Sequence, residues 1–305
     1  MNEKSRRFKA VDILLLVLAV LPLVAGMLIE ILTNVPSGDI DIAGARIFFT
    51  IPMPLQDLPI TEAQVNSWLV MLTILFLCLY LTHGIAAKPV TRRQLAAEWI
   101  VEKTENLVKS NMGEYFRSFA PLIAAIMALS AFSSLVTLVG LFPPTSDLNV
   151  IAGWSVLVFI LITYYKMKCG PLHYLKSFAQ PLALTPLNVI SEVATPISMT
   201  FRHYGNVLSG SVISVLIAAL LQLVSKLLLG WLPGALGEIP FLQIGLPAIL
   251  SLYFDLFSGC LQAFIFATLT MLYVAGGFPA EDYHARQEKR RQKREQKAKE
   301  ATANL

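Results

Sequence analysis

The chain reads as an all-α membrane protein with about six apolar helical segments, the last two long and strongly inclined to the bilayer. Three observations carry that reading. Of its 305 residues, 55% are hydrophobic and only 14% charged, where a soluble protein carries about 25% charged residues. Apolar runs of the length a spanning helix needs, about 20 residues, recur along the sequence. Lys and Arg alternate between successive connecting segments, the asymmetry that sets membrane orientation.

The first run, 11–33, follows the basic start Lys4, Arg6, Arg7 and Lys9. A signal peptide begins similarly, but this run is longer, and its small-residue exit at Val24, Ala25 and Gly26 is a poor cleavage site. A retained anchor is expected. Segment 34–66, with Asp39, Asp41, Asp57 and Glu62, then lies outside. Further spans are expected at 67–87, 118–142 and 148–166, with PPTSDLN a turn between the last two. Residues 91–110 place Leu95, Trp99, Ile100, Leu107 and Val108 on a helical period, an amphipathic helix on the cytoplasmic surface or a plain connector. Two longer stretches, 187–232 and 241–277, join through LPGALGEIP at 232–240.

One side of the membrane collects the basic N-terminus, then Lys88, Arg92, Arg93, Lys103, Lys109 and Arg117, then Lys166, Lys168 and Lys176, and finally the tail at 286–299. The opposite loops contain only Arg46. Both termini are therefore expected in the cytoplasm. The division is an anchor at 1–33, an extracytoplasmic segment at 34–66, a membrane domain at 67–278 and a basic tail at 279–305. That tail suits contact with anionic lipid. It lacks the interleaved aromatics of a nucleic-acid site. Cys78, Cys169 and Cys260 are scattered, with no disulfide framework or metal-ligand spacing.

No proline falls between Pro196 and Pro233. A continuous helix there is about 55 Å long at 1.5 Å per residue, against a hydrocarbon core of about 30 Å. Such helices must tilt, and a tilted pair suits a surface that wraps around something round. Arg202, Asn206 and Ser209 share one face of the first, flanked by Gly205 and Gly210, whose usual reason in membranes is close helix approach. Asp255 and Gln262 lie seven apart on the second, with Ser258 and Gly259 between. A charge at bilayer depth costs ~3 kcal/mol to well over 10, so Arg202, with no carboxylate within one helical turn, must face a partner or water.

The string Arg202-His203-Tyr204-Gly205-Asn206, preceded by PISMTF, resembles the Arg-Leu-Phe-Gly-Asn signature of subunit a of the rotary F-type ATP synthase. LQAFIFATLTMLY at 261–273 resembles that family's second signature. PLNVISE at 186–192 and LVGLFPPTSDLNV at 138–150 resemble two further segments in the same order. The resemblance implies a stator subunit pressed against a ring of small c-type subunits, each with a buried carboxylate, and held by b-type subunits of the peripheral stalk. Ions, protons or sodium, would enter by one half-channel, ride the ring and leave by another. Arg202 matches the essential arginine separating them, with Asn206 and Gln262 beside it and Glu192 near the cytoplasmic half-channel. Where the family often places a Glu–His pair, this chain has Ser211 and Asp255, leaving Asp255 as the outer proton relay or ion-attracting group; Ser211 can only hydrogen-bond. His203 stands where the family usually has an apolar residue, and reads as a packing or lipid-interface group.

A proton-coupled transporter of an anionic substrate is the competing class, but internal repeats and paired broken helices are missing. A non-conducting scaffold gives no reason for Arg202. An autonomous enzyme lacks its motifs: there is no HExxH, no Gly-rich phosphate loop and no Ser/His/Asp set, and His83, His173, His203 and His284 fall on separate segments. Neither cofactor, metal nor nucleotide is expected on this chain.

Overall fold

A computed structural model describes residues 3–33, 44–54, 57–85, 91–171, 174, 185–229, 245, 249–250, 252–278, 283, 288 and 291–292. The 232–240 connection, Lys176, Cys169's side chain, His173, His284 and most of the basic tail lie outside these. Among the described residues six helices are long and apolar enough to cross a membrane, matching the six apolar runs of the sequence.

Helix α1 (Glu3–Thr33) runs through Pro22 without ending. Strands β1 (Ile47–Ile51) and β2 (Leu58–Thr61) follow as an antiparallel hairpin, pairing Ile51 with Leu58 and Ile47 with Thr61 across a bulge. This small hairpin sits beside an otherwise helical fold, as the all-α reading expects. The segment is rich in β-branched and aromatic residues, IFFTI, and too short to span. Helix α2 (Glu62–Thr82) starts directly from β2.

Helix α3 (Arg92–Met112) is capped by Thr91, whose Oγ1 accepts from the Gln94 N–H at 3.3 Å. It ends at Gly113, φ 84°, a conformation that favours glycine. The amphipathic stripe divides in two: Val108 is buried in the core, whereas Leu95, Trp99 and Ile100 are exposed. A short 3₁₀ turn leads into α4 (Ala120–Leu135), and the expected span at 118–142 closes with a second 3₁₀ turn and left-handed Gly140. Asp147 caps α5 (Leu148–Lys166), its Oδ1 accepting from the Asn149 N–H at 2.9 Å.

Helix α6 (Thr185–Leu229) is continuous over 45 residues and absorbs Pro196. Its partner α7 (Gly259–Gly277) is preceded by a π-helical stretch, Leu252–Ser258. The 241–277 segment is thus not a single α-helix, and the π winding takes Asp255 off the uniform 3.6-residue period on which it and Gln262 would share a face.

The core lies between α3, α4, α5, α6 and α7, around Val108, Phe116, Ile123, Val158, Met199, Phe266 and Met271. Small polar residues let the helices close in: Ser130, Ser133 and Ser134 on α4, Ser155 on α5 and Thr270 on α7 are all buried. Large exposed side chains such as Leu32, Leu223 and Leu227 cover the outside, as expected where lipid is the solvent.

Candidate functional site

Helices α6 and α7 run antiparallel, and their contacts give the register. Gly210 lies against Phe254, where an added Cβ would meet Cδ1 at 3.2 Å. One turn along, Asn206 Nδ2 donates to Ser258 Oγ at 2.9 Å, and that hydroxyl lies 3.3 Å from Asn206 Oδ1. Next, His203 meets Phe266 edge-on at 5.5 Å between ring centroids. At the far end Glu192 and Tyr273 share a cavity. This register sets Arg202 level with Gln262, one turn from the Asn206–Ser258 bond.

Arg202 itself is exposed. Among the described residues its guanidinium makes no hydrogen bond or ion pair, and neither does the amide of the buried Gln262. His203, the next residue, points the other way. It is fully buried, with Trp154 and Phe266 edge-on and Nε2 3.4 Å from Ser130 Oγ. Its Nδ1 has no partner among the described residues. His203 is thus a packing group inside the protein, not at a lipid interface.

The other expected residues separate into two ends. Toward the 254–255 end, Asp255 lines a cavity of about 20 Å³ with Ser134, Thr137, Asn206 and Gly210, room for one water. Ser209 and Ser211 donate to the carbonyls of Asn206 and Leu208 on their own helix, at 3.1 and 2.9 Å, and bridge to no other element among the described residues. At Gly205 an added Cβ would meet no atom within 4 Å, so no described helix of this chain approaches it. Gly259 makes a close approach, where an added Cβ would overlap Ser134 Cβ.

At the opposite end Glu192 is engaged on both oxygens. Lys166 Nζ lies 2.5 Å from Oε2, and the Tyr174 hydroxyl donates to Oε1 at 3.4 Å. Burial, and then the charge of Glu192, raise the pKa of Tyr174 above the usual phenol value, keeping it a donor. The cavity beside this group, about 180 Å³, is lined by Ile162, Lys166, Glu192, Thr195, Tyr273 and Gly277. In the sequence Lys166 has only an orienting role, Ser258 is placed only between Asp255 and Gln262, and neither Ser134 nor Tyr174 is singled out. Ser258 alone carried a signal, sitting one turn before Gln262.

Residues 64–275 match the family model described as ATP synthase A chain. The chain belongs to this family. Relatives named ATP synthase subunit a include one from Trichlorobacter lovleyi, 32% identical over 221 residues, covering 70% of this chain and 86% of the relative. Another, from Geobacter sulfurreducens, is 30% identical over 232 residues, covering 73% and 91%. ATP synthase subunit a 1 of Crocosphaera subtropica is 29% identical over 217 residues, covering 70% and 85%. As a member of the ATP synthase A chain family, the protein is a proton-translocating stator subunit of the membrane sector, associated with other synthase subunits and not itself the catalyst. The transporter reading is not favoured.

Proposed function

We propose that α6 and α7 form the stator face of a rotary proton path, a tilted hairpin against a ring of c-type subunits, anchored by b-type subunits of the peripheral stalk. The observation that carries this is Arg202: a permanent cation in a membrane-capable helix, exposed, and without an ion pair among the described residues. An uncompensated charge at that depth needs a partner or water, and a ring carboxylate is the partner this reading supplies. A ring carboxylate passing Arg202 meets a cation that cannot deprotonate, which favours its ionised form and proton release. The same charge blocks protons from crossing directly between the half-channels.

In this reading the Asp255 end is extracytoplasmic and the Glu192–Lys166 end cytoplasmic, with both termini in the cytoplasm of a bacterial cell. The Lys and Arg asymmetry supports that orientation. Asp255 passes protons inward through the single-water cavity it shares with Asn206. Asn206 and Gln262 flank Arg202 at the ring, and Glu192 receives protons on the way out. Arg202→Ala is expected to abolish gradient-driven ATP synthesis in reconstituted vesicles while the complex still assembles with its ring. Full synthesis by that variant would overturn the assignment.

A further inference from the structure

We infer that Lys166 is a positioning residue for proton release: it holds Glu192 in the wall of the exit cavity and lets go when a proton arrives. This rests on the path proposed above. Lys166 ends α5 and reaches across to α6, bonding Glu192 at 2.5 Å. Room for its stem is built into α7, because a Cβ at Gly277 would lie 3.1 Å from Lys166 Cε and 3.2 Å from Cγ. The side chain therefore lies in a slot that any larger residue would narrow. Beside the pair, the cavity of about 180 Å³ has room for several waters at the ~10–15 Å³ one water needs.

Titratable groups facing Glu192 come from each packed element: Lys166 from α5, Tyr174 from the segment before α6 and Tyr273 from α7. Lys168 is turned elsewhere, 3.4 Å from the Tyr115 hydroxyl and over the rings of Tyr164 and Tyr165. The step is a simple exchange. A hydronium in the cavity gives its proton to the Glu192 carboxylate, leaving water, and the neutral acid no longer holds the ammonium. Lys166 withdraws along its slot, Glu192 gives the proton to cytoplasmic water, and the carboxylate recaptures the ammonium.

The test is proton-driven synthesis by the reconstituted synthase, measured against pH on the cytoplasmic side. Release stalls when that side is acidic enough to keep the exit acid protonated. Lys166→Gln removes the cation paired with the Glu192 carboxylate, so the acid limb is expected to move toward alkaline. Lys166→Arg should keep the limb in place, and Lys166→Gln with Glu192→Gln should match Glu192→Gln alone. A Lys166→Gln profile superimposable on that of the unaltered protein overturns the inference. If Lys166→Gln does not assemble, Glu192→Asp draws the carboxylate back from Lys166 and should give the same alkaline shift; no shift there also overturns it. Arg202→Ala run in parallel separates the two ideas, because retained synthesis in that variant condemns the proton path itself.

Discussion

At the scale of single residues, the site is an opposition between neighbours on α6. Full burial of His203 against Trp154 and Phe266 fixes one face of the helix. Arg202, one residue earlier, is left facing outward. Arg202 was legible in sequence because an isolated charge in an apolar run admits few explanations. Ser258 was not, since a serine in a membrane helix usually reads as generic glue. Only the fold brings it to Asn206, 52 residues away. The reciprocal pair predicts strong coupling. Asn206→Ala and Ser258→Ala should each cost about 1 kcal/mol, within the range for hydrogen bonds between membrane helices, and the double variant little more than either. Unfolding free energies in detergent, combined as a double-mutant cycle, check this; simply additive losses would show that the bond contributes nothing.

At the scale of elements, the stretch before α7 departs furthest from what periodicity implied. A seven-residue spacing places Asp255 and Gln262 together only if the intervening helix is regular, and the π winding of Leu252–Ser258 removes that condition. Period arguments cannot detect such a stretch, because i→i+5 bonding leaves no composition signal. Glycine roles were equally position-dependent: Gly205 is open, while Gly259 abuts Ser134. Because Ser134 Cβ is rigidly attached to α4, a methyl at Gly259 must push the helix itself. Gly259→Ala is therefore expected to destabilise by about 1–3 kcal/mol, the usual cost of overpacking. Adding Ser134→Gly should recover much of the loss by vacating the contacted position. Thermal unfolding of the single and double variants decides it, and an unperturbed Gly259→Ala would mean that α4 and α7 are not in tight contact there.

At the scale of the whole molecule, the six crossings were readable because hydrocarbon thickness dictates their length, whereas the attachments of α1 were not. Those attachments pair residues far apart in sequence. At one end Arg93 donates to Asp12 Oδ1 and to the His83 carbonyl, both at 2.6 Å, and stacks over Tyr80. At the other end Arg46 donates from Nε to Glu62 Oε2 at 3.1 Å, and also reaches Glu30 and the Thr33 carbonyl. Between them Gly26 admits Leu69 and Leu141. Helix α1, outside the matched 64–275 region, is thereby fixed to α2 at both ends. The Arg46 end is the more vulnerable, because it gathers two carboxylates around one cation, and the Glu62 side chain is only 6% exposed. Removing one partner of a buried pair leaves an uncompensated charge, at ~3–5 kcal/mol. Arg46 is 36% exposed, so solvent screening reduces that to about 2 kcal/mol. Arg46→Met should therefore lower the unfolding free energy of the protein in detergent by about that amount at neutral pH. Adding Glu30→Gln and Glu62→Gln to Arg46→Met should restore most of it, since the uncompensated charges are gone. If the triple variant is no more stable than Arg46→Met alone, charge balance is not what holds that end of α1, and packing around Gly26 must account for its attachment.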